Sequence, residues 1–225
     1  MAMPKARQAS AAAKKRPVRR AGRPAGAAPD LRPRLLEAAI ACFARTGIAA
    51  TSLRAIANEA GVTPALLHYY FGDKEQLLQA VIDERLLPVF GAIRASILRV
   101  DGDVAGLVAG FVRGVIAAVE EHPWLPPLWV REVLCEGGAL RGVLFNSLLP
   151  QLPQLLAQRF ARAQREGKLN PELDPRLLVT SLVGLTLFPA AGAPIWRRLF
   201  DADDIDLTAV RDHAIALLDR GLEAG

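Results

Sequence analysis

The segment Thr51–Phe71, TSLRAIANEAGVTPALLHYYF, constrains the fold of this chain more than any other stretch of it. Leu53, Ile56, Ala57 and Ala60 recur at helical spacing and define one buried face. Thr51 precedes them as an N-cap, its hydroxyl available to accept a backbone N–H. Gly61 follows the last periodic residue, where a left-handed helix end carries no Cβ penalty for glycine. Val62 is the apolar plug of a three-residue turn. Thr63 and Pro64 then restart the chain as N-cap and first helical residue, where the missing proline N–H costs nothing. In the second helix Leu66, Leu67 and Phe71 take the inward side, leaving Thr63, Ala65, His68 and Tyr69 outside. That arrangement suits a helix laid in a DNA major groove with its N-terminal end toward the bases.

The next residues extend the unit. Asp73-Lys74-Glu75-Gln76 opens another helix with a capping-box pattern, Asp73 as N-cap and Gln76 at the third helical position. Lys74 sits at a helix N-terminus, which favours anions. Dipole energetics do not explain a lysine there; a phosphate does. The run Leu35–Leu78, above all GVTPALLHYYFGDKEQLL, resembles the DNA-binding domain of the TetR family of bacterial transcriptional regulators and covers about a fifth of the chain. The resemblance implies that Thr63, Pro64 and Ala65 open the recognition helix. It implies that His68 and Tyr69 form the aromatic pair bound to phosphate, and that Lys74 is the phosphate-binding lysine. Thr51 and Ser52 match the start of the preceding helix, which touches the DNA backbone. The family pattern carries tyrosine at the position of His68 and often histidine at that of Tyr70. The order is swapped here, so Tyr70 joins the candidates.

Charge is uneven along the chain. Residues 1–30 carry eight lysines and arginines against Asp30, a net of +7, and the whole chain is +5, so the remainder is −2. The stretch 1–29, rich in alanine, proline and glycine and without apolar periodicity, is expected to be a disordered basic arm. It is either a solubilising tail or an arm that places Arg23 and its neighbours in a minor groove beside the recognition helix. It has no apolar core of a secretion signal, and Ser10 is the single hydroxyl side chain in it. Cys42 and Cys135 are far apart, the first between Ala41 and Phe43 and the second after the apolar Val133-Leu134, which implies no disulfide framework, a reducing cytoplasm and buried thiols.

The spacing predicts an all-α chain: the arm, a three-helix helix-turn-helix domain over 30–76, and a helical ligand-binding and dimerisation domain over 77–225. Asp30 caps a first helix ending at Thr46-Gly47, with Leu36, Ile40 and Phe43 on one face. A long helix, 74–97, links the domains. Asp103 starts an apolar helix to about Glu121, and the proline-broken PWLPPLW leads to a helix from Val130. Further helices are expected over Leu140–Leu149 and Gln154–Glu166, with one opened by Asp174-Pro175. Leu177–Trp196 runs twenty residues without a charge, the length of a membrane span. Its small and polar residues dilute it, and Pro189 is expected to divide it, so the reading is a buried helix and no membrane. The resemblance implies a homodimer through the last two helices, here Asp174–Phe188 and Leu207–Leu222, with Val210, Ala214, Leu217, Leu218 and Gly221 on one face.

Residues 100–200 hold the three tryptophans and form the ligand-pocket candidate. Phe111, Trp124, Trp129, Cys135, Phe145, Phe160 and Phe188 are the expected lining, with Arg113 and Glu132 as polar contacts and Arg131 and Asn146 as further ones. No cofactor and no metal is expected, since His68, His122 and His213 lie in separate elements without ligand spacing. A Gly-rich phosphate loop and a G-x-S-x-G elbow are missing, which argues against an enzyme. The resulting expectation is a cytoplasmic repressor. It binds a palindromic double-stranded operator and is released when a largely apolar small molecule shifts helix 74–97. The alternative is an activator or architectural DNA-binder without an effector.

Overall fold

Apolar residues three and four apart recur along the chain, and every regular element they build is helical in the computed structural model, which describes residues 31–99, 103–148 and 151–222. The expectations for the arm 1–29, for Arg23 and for Asp30 as a cap lie outside these residues. Helix α1 (Leu31–Thr46) buries Leu35, Leu36, Ala39, Ile40 and Phe43 against α2 (Leu53–Ala60) and α3 (Pro64–Phe71). α4 (Lys74–Val81) runs through a π-helical stretch, Ile82–Leu86, into α5 (Leu87–Leu98). The stretch has a local cause. Leu87 N–H donates to Ile82 O five residues back, and the next residue, Pro88, has no N–H to continue an α-helical ladder.

α6 (Val104–Glu121) is the core of the body. It is capped by Asp103, whose carboxylate accepts from Gly106 N at 2.9 Å, and it packs against α5 on one side and α11 (Leu207–Leu222) on the other. A Cβ on Gly114 would lie 1.9 Å from Ser96 Oγ, so glycine is what permits the close α5–α6 approach. α7 (Leu125–Trp129) continues into a second π-helical stretch, Val130–Leu134; a short α8 (Arg141–Val143) continues into a third, Leu144–Leu148. α9 (Leu152–Arg165) and α10 (Pro175–Phe200) complete the body, with α10 packed on α9, α6, α7 and α11. Arg85 bonds Glu37 at 2.7 Å and Arg32 pairs with Glu84, tying α1 to the first π-helical stretch. The Arg32 guanidinium holds the Glu84 carboxyl below the usual carboxylate range.

Several boundaries differ from the sequence expectations, and proline explains most of them. Pro126 and Pro127 do not delay the helix to Val130. They sit in the first turn of α7, where backbone N–H groups have no intrahelical acceptor anyway. Pro153 likewise occupies the first turn of α9, which starts at Leu152. Pro189 does not divide α10, which runs 26 residues with Pro189 and Pro194 inside it. Trp196 Nε1 donates to Pro189 O at 2.8 Å, a side-chain bond to the backbone of its own helix. The face expected on α11 is also split. Val210, Ala214 and Leu218 are buried within the chain, whereas Leu217 and Gly221 are exposed.

Phe160, fully buried on α9, should cost roughly 3–5 kcal/mol on truncation to alanine. Thr63→Ala at the exposed α3 cap should cost only about 1 kcal/mol. Urea unfolding of both variants checks the ordering.

Candidate functional site

The DNA-facing candidates sit on one exposed corner. Gly61 takes φ 68°, ψ 34°, and turns the chain between α2 and α3. Thr63 Oγ1 accepts from Leu66 N at 3.3 Å, which leaves the first turn of α3 free of competing side-chain bonds. Leu67 and Phe71 are buried, Tyr70 is half-buried against the core, and Thr63, Pro64, Ala65, His68 and Tyr69 are exposed. The structure separates the three aromatic candidates. His68 Nδ1 is hydrogen-bonded to Gly72 O at the end of its own helix, and a carbonyl only accepts, so Nδ1 carries the proton. Tyr70 packs edge-on against Tyr69 and inward beside Phe71. Tyr69, 84% exposed, is the ring that projects farthest into solvent.

Thr51 and Ser52 exchange roles. Ser52 is the N-cap of α2, its Oγ accepting from Ala55 N at 3.1 Å. Thr51 is 3% exposed; its hydroxyl donates to Gly47 O at 2.6 Å and lies 2.8 Å from Thr46 Oγ1. A hydroxyl so enclosed cannot reach DNA, and Thr51 instead closes the loop after α1. Ser52 and Arg54 are exposed at the start of α2. Arg54 was not distinguished in the sequence from any other surface arginine.

Lys74 also serves that loop, since its Nζ donates to Ala49 O at 3.0 Å. The ammonium has further donors for a phosphate, but its place at a helix N-terminus already has a structural account. The strongest tie to the loop comes from the body. Glu132, in the second π-helical stretch and 4% exposed, accepts from Ile48 N at 2.8 Å through one carboxyl oxygen and from Ala139 N at 3.0 Å through the other. Glu132 was expected to contact ligand. Both its oxygens are instead committed to backbone, because a buried carboxyl without partners is costly. Gly47 at φ 90° makes room for this contact: a Cβ there would lie 3.1 Å from Arg131 Cδ and 3.2 Å from Glu132 Oε1.

An apolar cavity of about 60 Å³ lies within the body. Phe90 and Ile93 of α5, Phe111 and Val115 of α6, Leu125 and Trp129 of α7, Leu152, Pro153 and Leu156 of α9, and Val179, Val183 and Leu187 of α10 line it. Of the expected lining, Phe111 and Trp129 are there. Phe160 is fully buried in the core beside it; Trp124 stacks on His122 at 5.2 Å. Arg113, Arg131, Cys135, Phe145, Asn146 and Phe188 are exposed. The thiol expected to be buried at Cys135 is therefore a surface group, while Cys42 is buried, which raises its thiol pKa. Aliphatic residues make most of the wall, and nothing in the sequence separates them from ordinary core.

The family model for bacterial regulatory proteins of the TetR family matches residues 35–81, the stretch containing α2, α3, α4 and most of α1. The transcriptional regulator UidR of Escherichia coli is 27% identical over 162 residues, 69% of this chain and 77% of that protein. The ketosteroid transcriptional regulator KstR2 of Mycobacterium tuberculosis superposes with a TM-score of 0.70 at 22% identity, over 90% of this chain and 100% of that one. The regulator FadR of Bacillus subtilis, in complex with stearoyl-CoA, gives 0.61 at 20% identity, over 84% and 98%. The helix-turn-helix geometry and the matched segment agree: residues 35–81 are a DNA-binding domain of the TetR family of bacterial regulatory proteins, and the body has the fold of solved transcriptional regulators.

Proposed function

We propose that this regulator is a homodimeric, cytoplasmic repressor that leaves a palindromic operator when an apolar small molecule enters the cavity. The observation that carries the reading is a continuous path from cavity to DNA-reading unit. Trp129 forms part of the wall, and Glu132, less than one helical turn on, holds Ile48 N–H. The loop so held also carries Ser52, the cap of α2, and Ala49, the acceptor of Lys74. A ligand larger than the cavity displaces its wall, and the displacement is passed to the loop at the head of the helix-turn-helix. Phe90 and Ile93 give the same ligand a second lever, the α4–α5 helix that carries Lys74 at its start. Ligand and operator then oppose each other reciprocally. Structural relatives named for a ketosteroid and bound to stearoyl-CoA support an apolar effector.

The dimer is supported by α10. It is long and apolar enough to cross a membrane by length and composition. Four of its exposed large apolar residues, Leu177, Phe188, Ile195 and Leu199, nevertheless share one stripe, with Phe200 off it at the helix end, while Leu178, Leu182, Thr186 and Leu187 pack inward. A helix surrounded by lipid is apolar all round; one stripe suits a second protein surface. Leu217 of α11 is exposed as well. We assign this face to a second copy of the chain, which a helix-turn-helix needs to read two half-sites.

The operator assignment is tested on a palindrome from the protein's own upstream region. Tyr69→Ala should weaken binding about tenfold, and Lys74→Ala should weaken it and lower the salt slope by about 1. Wild-type affinity in both variants removes these contacts from the interface. Phe188→Glu with Leu199→Glu should give a monomer by analytical ultracentrifugation that no longer occupies the palindrome; a persisting dimer places the partner elsewhere. The link through Glu132 has its own readout. A carboxamide offers one acceptor oxygen and turns an NH2 toward the second backbone donor, so Glu132→Gln should lose roughly 1–3 kcal/mol. It should speed hydrogen exchange at Ile48 while leaving Leu67 unchanged. Unchanged exchange at Ile48 rules the link out.

A further inference from the structure

The cavity wall is built of apolar side chains throughout, and one of them carries a polar hydrogen. Trp129 stacks at a tilt on Phe90, ring centroids 6.3 Å apart, and its Nε1–H is buried with no hydrogen-bond partner among the described residues. Buried indole N–H groups are ordinarily paired, so an orphan beside a cavity marks a donor awaiting an acceptor. The cavity, about 60 Å³, is too small for a molecule of more than a few heavy atoms. Its wall must therefore move to admit one, and the covered indole is the polar group that a moving wall can present.

Charge on the buried part of a ligand is excluded by the same wall. Among the described residues no lysine, arginine, aspartate, glutamate or histidine lines the cavity, and Glu132, the nearest acid in sequence to Trp129, is committed to Ile48 and Ala139. A carboxylate or ammonium placed there has no counter-charge and no hydrogen-bond partner beyond one indole. Pro153, in the first turn of α9, is the one described lining residue that is exposed, which makes it the point nearest solvent. A charged end of a longer ligand therefore stays outside, with the hydrocarbon end within.

We propose that this site takes an uncharged, largely hydrocarbon group bearing one neutral acceptor oxygen, the carbonyl of a ketone, ester or thioester, held by Trp129 Nε1–H. The inference rests on reading the cavity as the effector site. The test uses 2-octanone, octane, octanoate and octylammonium, titrated calorimetrically into the full chain at neutral pH. 2-Octanone should bind at least fivefold tighter than either ion. Its binding should shift one of the three tryptophan indole signals in a nitrogen-15 correlation spectrum, the one missing from Trp129→Phe. In that variant the ketone should lose about fivefold in affinity, and octane, which makes no hydrogen bond, should change by less than twofold. Octanoate or octylammonium binding as tightly as the ketone overturns the proposal. So does an equal loss for ketone and alkane in Trp129→Phe, or failure of all four compounds to bind. A ketone that binds through Trp129 but leaves operator occupancy unchanged supports the ligand class and overturns the effector role, so the two readings fail separately.

Discussion

The Glu132 carboxyl, buried and bonded to two backbone N–H groups, is the constraint on which the placement of the DNA-reading helices depends. A buried carboxyl is expensive unless its lone pairs are met. Here one oxygen is satisfied within its own segment and the other by Ile48, across the junction. Neighbouring features serve the same contact. Gly47 turns away with positive φ where a Cβ would crowd Arg131 and Glu132. Gly138 lets the chain pass close under the Glu132 carbonyl, and Arg141 donates to the carbonyls of Val133, Leu134 and Cys135. The π-helical stretch is thus held at its C-terminal end and by its one buried acid. Its other end, at Trp129, borders an apolar cavity with room to rearrange.

Proline shapes the body in a way that helix-breaking rules understate. Where it falls in a first turn, as at Pro126, Pro127, Pro153 and Pro175, it opens a helix rather than ending one. Pro88 follows a π-helical turn, and Pro189 persists mid-helix with Trp196 bonded to its carbonyl. α10 can therefore extend to Phe200, which lengthens its outward apolar stripe beyond what a helix ending at Pro189 would offer. The inward face of the same helix closes the cavity with Val179, Val183 and Leu187. One helix contributes to the cavity wall and to the proposed dimer face.

The readings made from sequence held where the physics was local and failed where it was not. Ser52 and Thr51 are both competent caps by residue type; burial decided between them, because only Ser52 remains at the surface. Aromatic residues were the natural guess for a pocket, yet Phe145 and Phe188 are exposed and Phe160 is core. Aliphatic residues at helical spacing carry no mark that separates a cavity wall from a packed interior. Cys135 shows the same limit, the apolar Val133-Leu134 before it being no guide to its surroundings in space.

The sequence by itself determined the helix-turn-helix, the Thr63 and Asp73 caps and the outward residues of its second helix. Each of those features is settled within about four residues by hydrogen bonds, a left-handed glycine or a proline N-terminus. The tertiary structure alone decided that both Glu132 oxygens meet backbone N–H groups and that Trp129, with an N–H unpaired among the described residues, borders the cavity. It also decided that Tyr69, rather than His68 or Tyr70, is the free ring. Those outcomes rest on packing between distant segments, Ile48 and Glu132 being 84 positions apart, and no periodicity in the chain encodes which distant partner a side chain will meet.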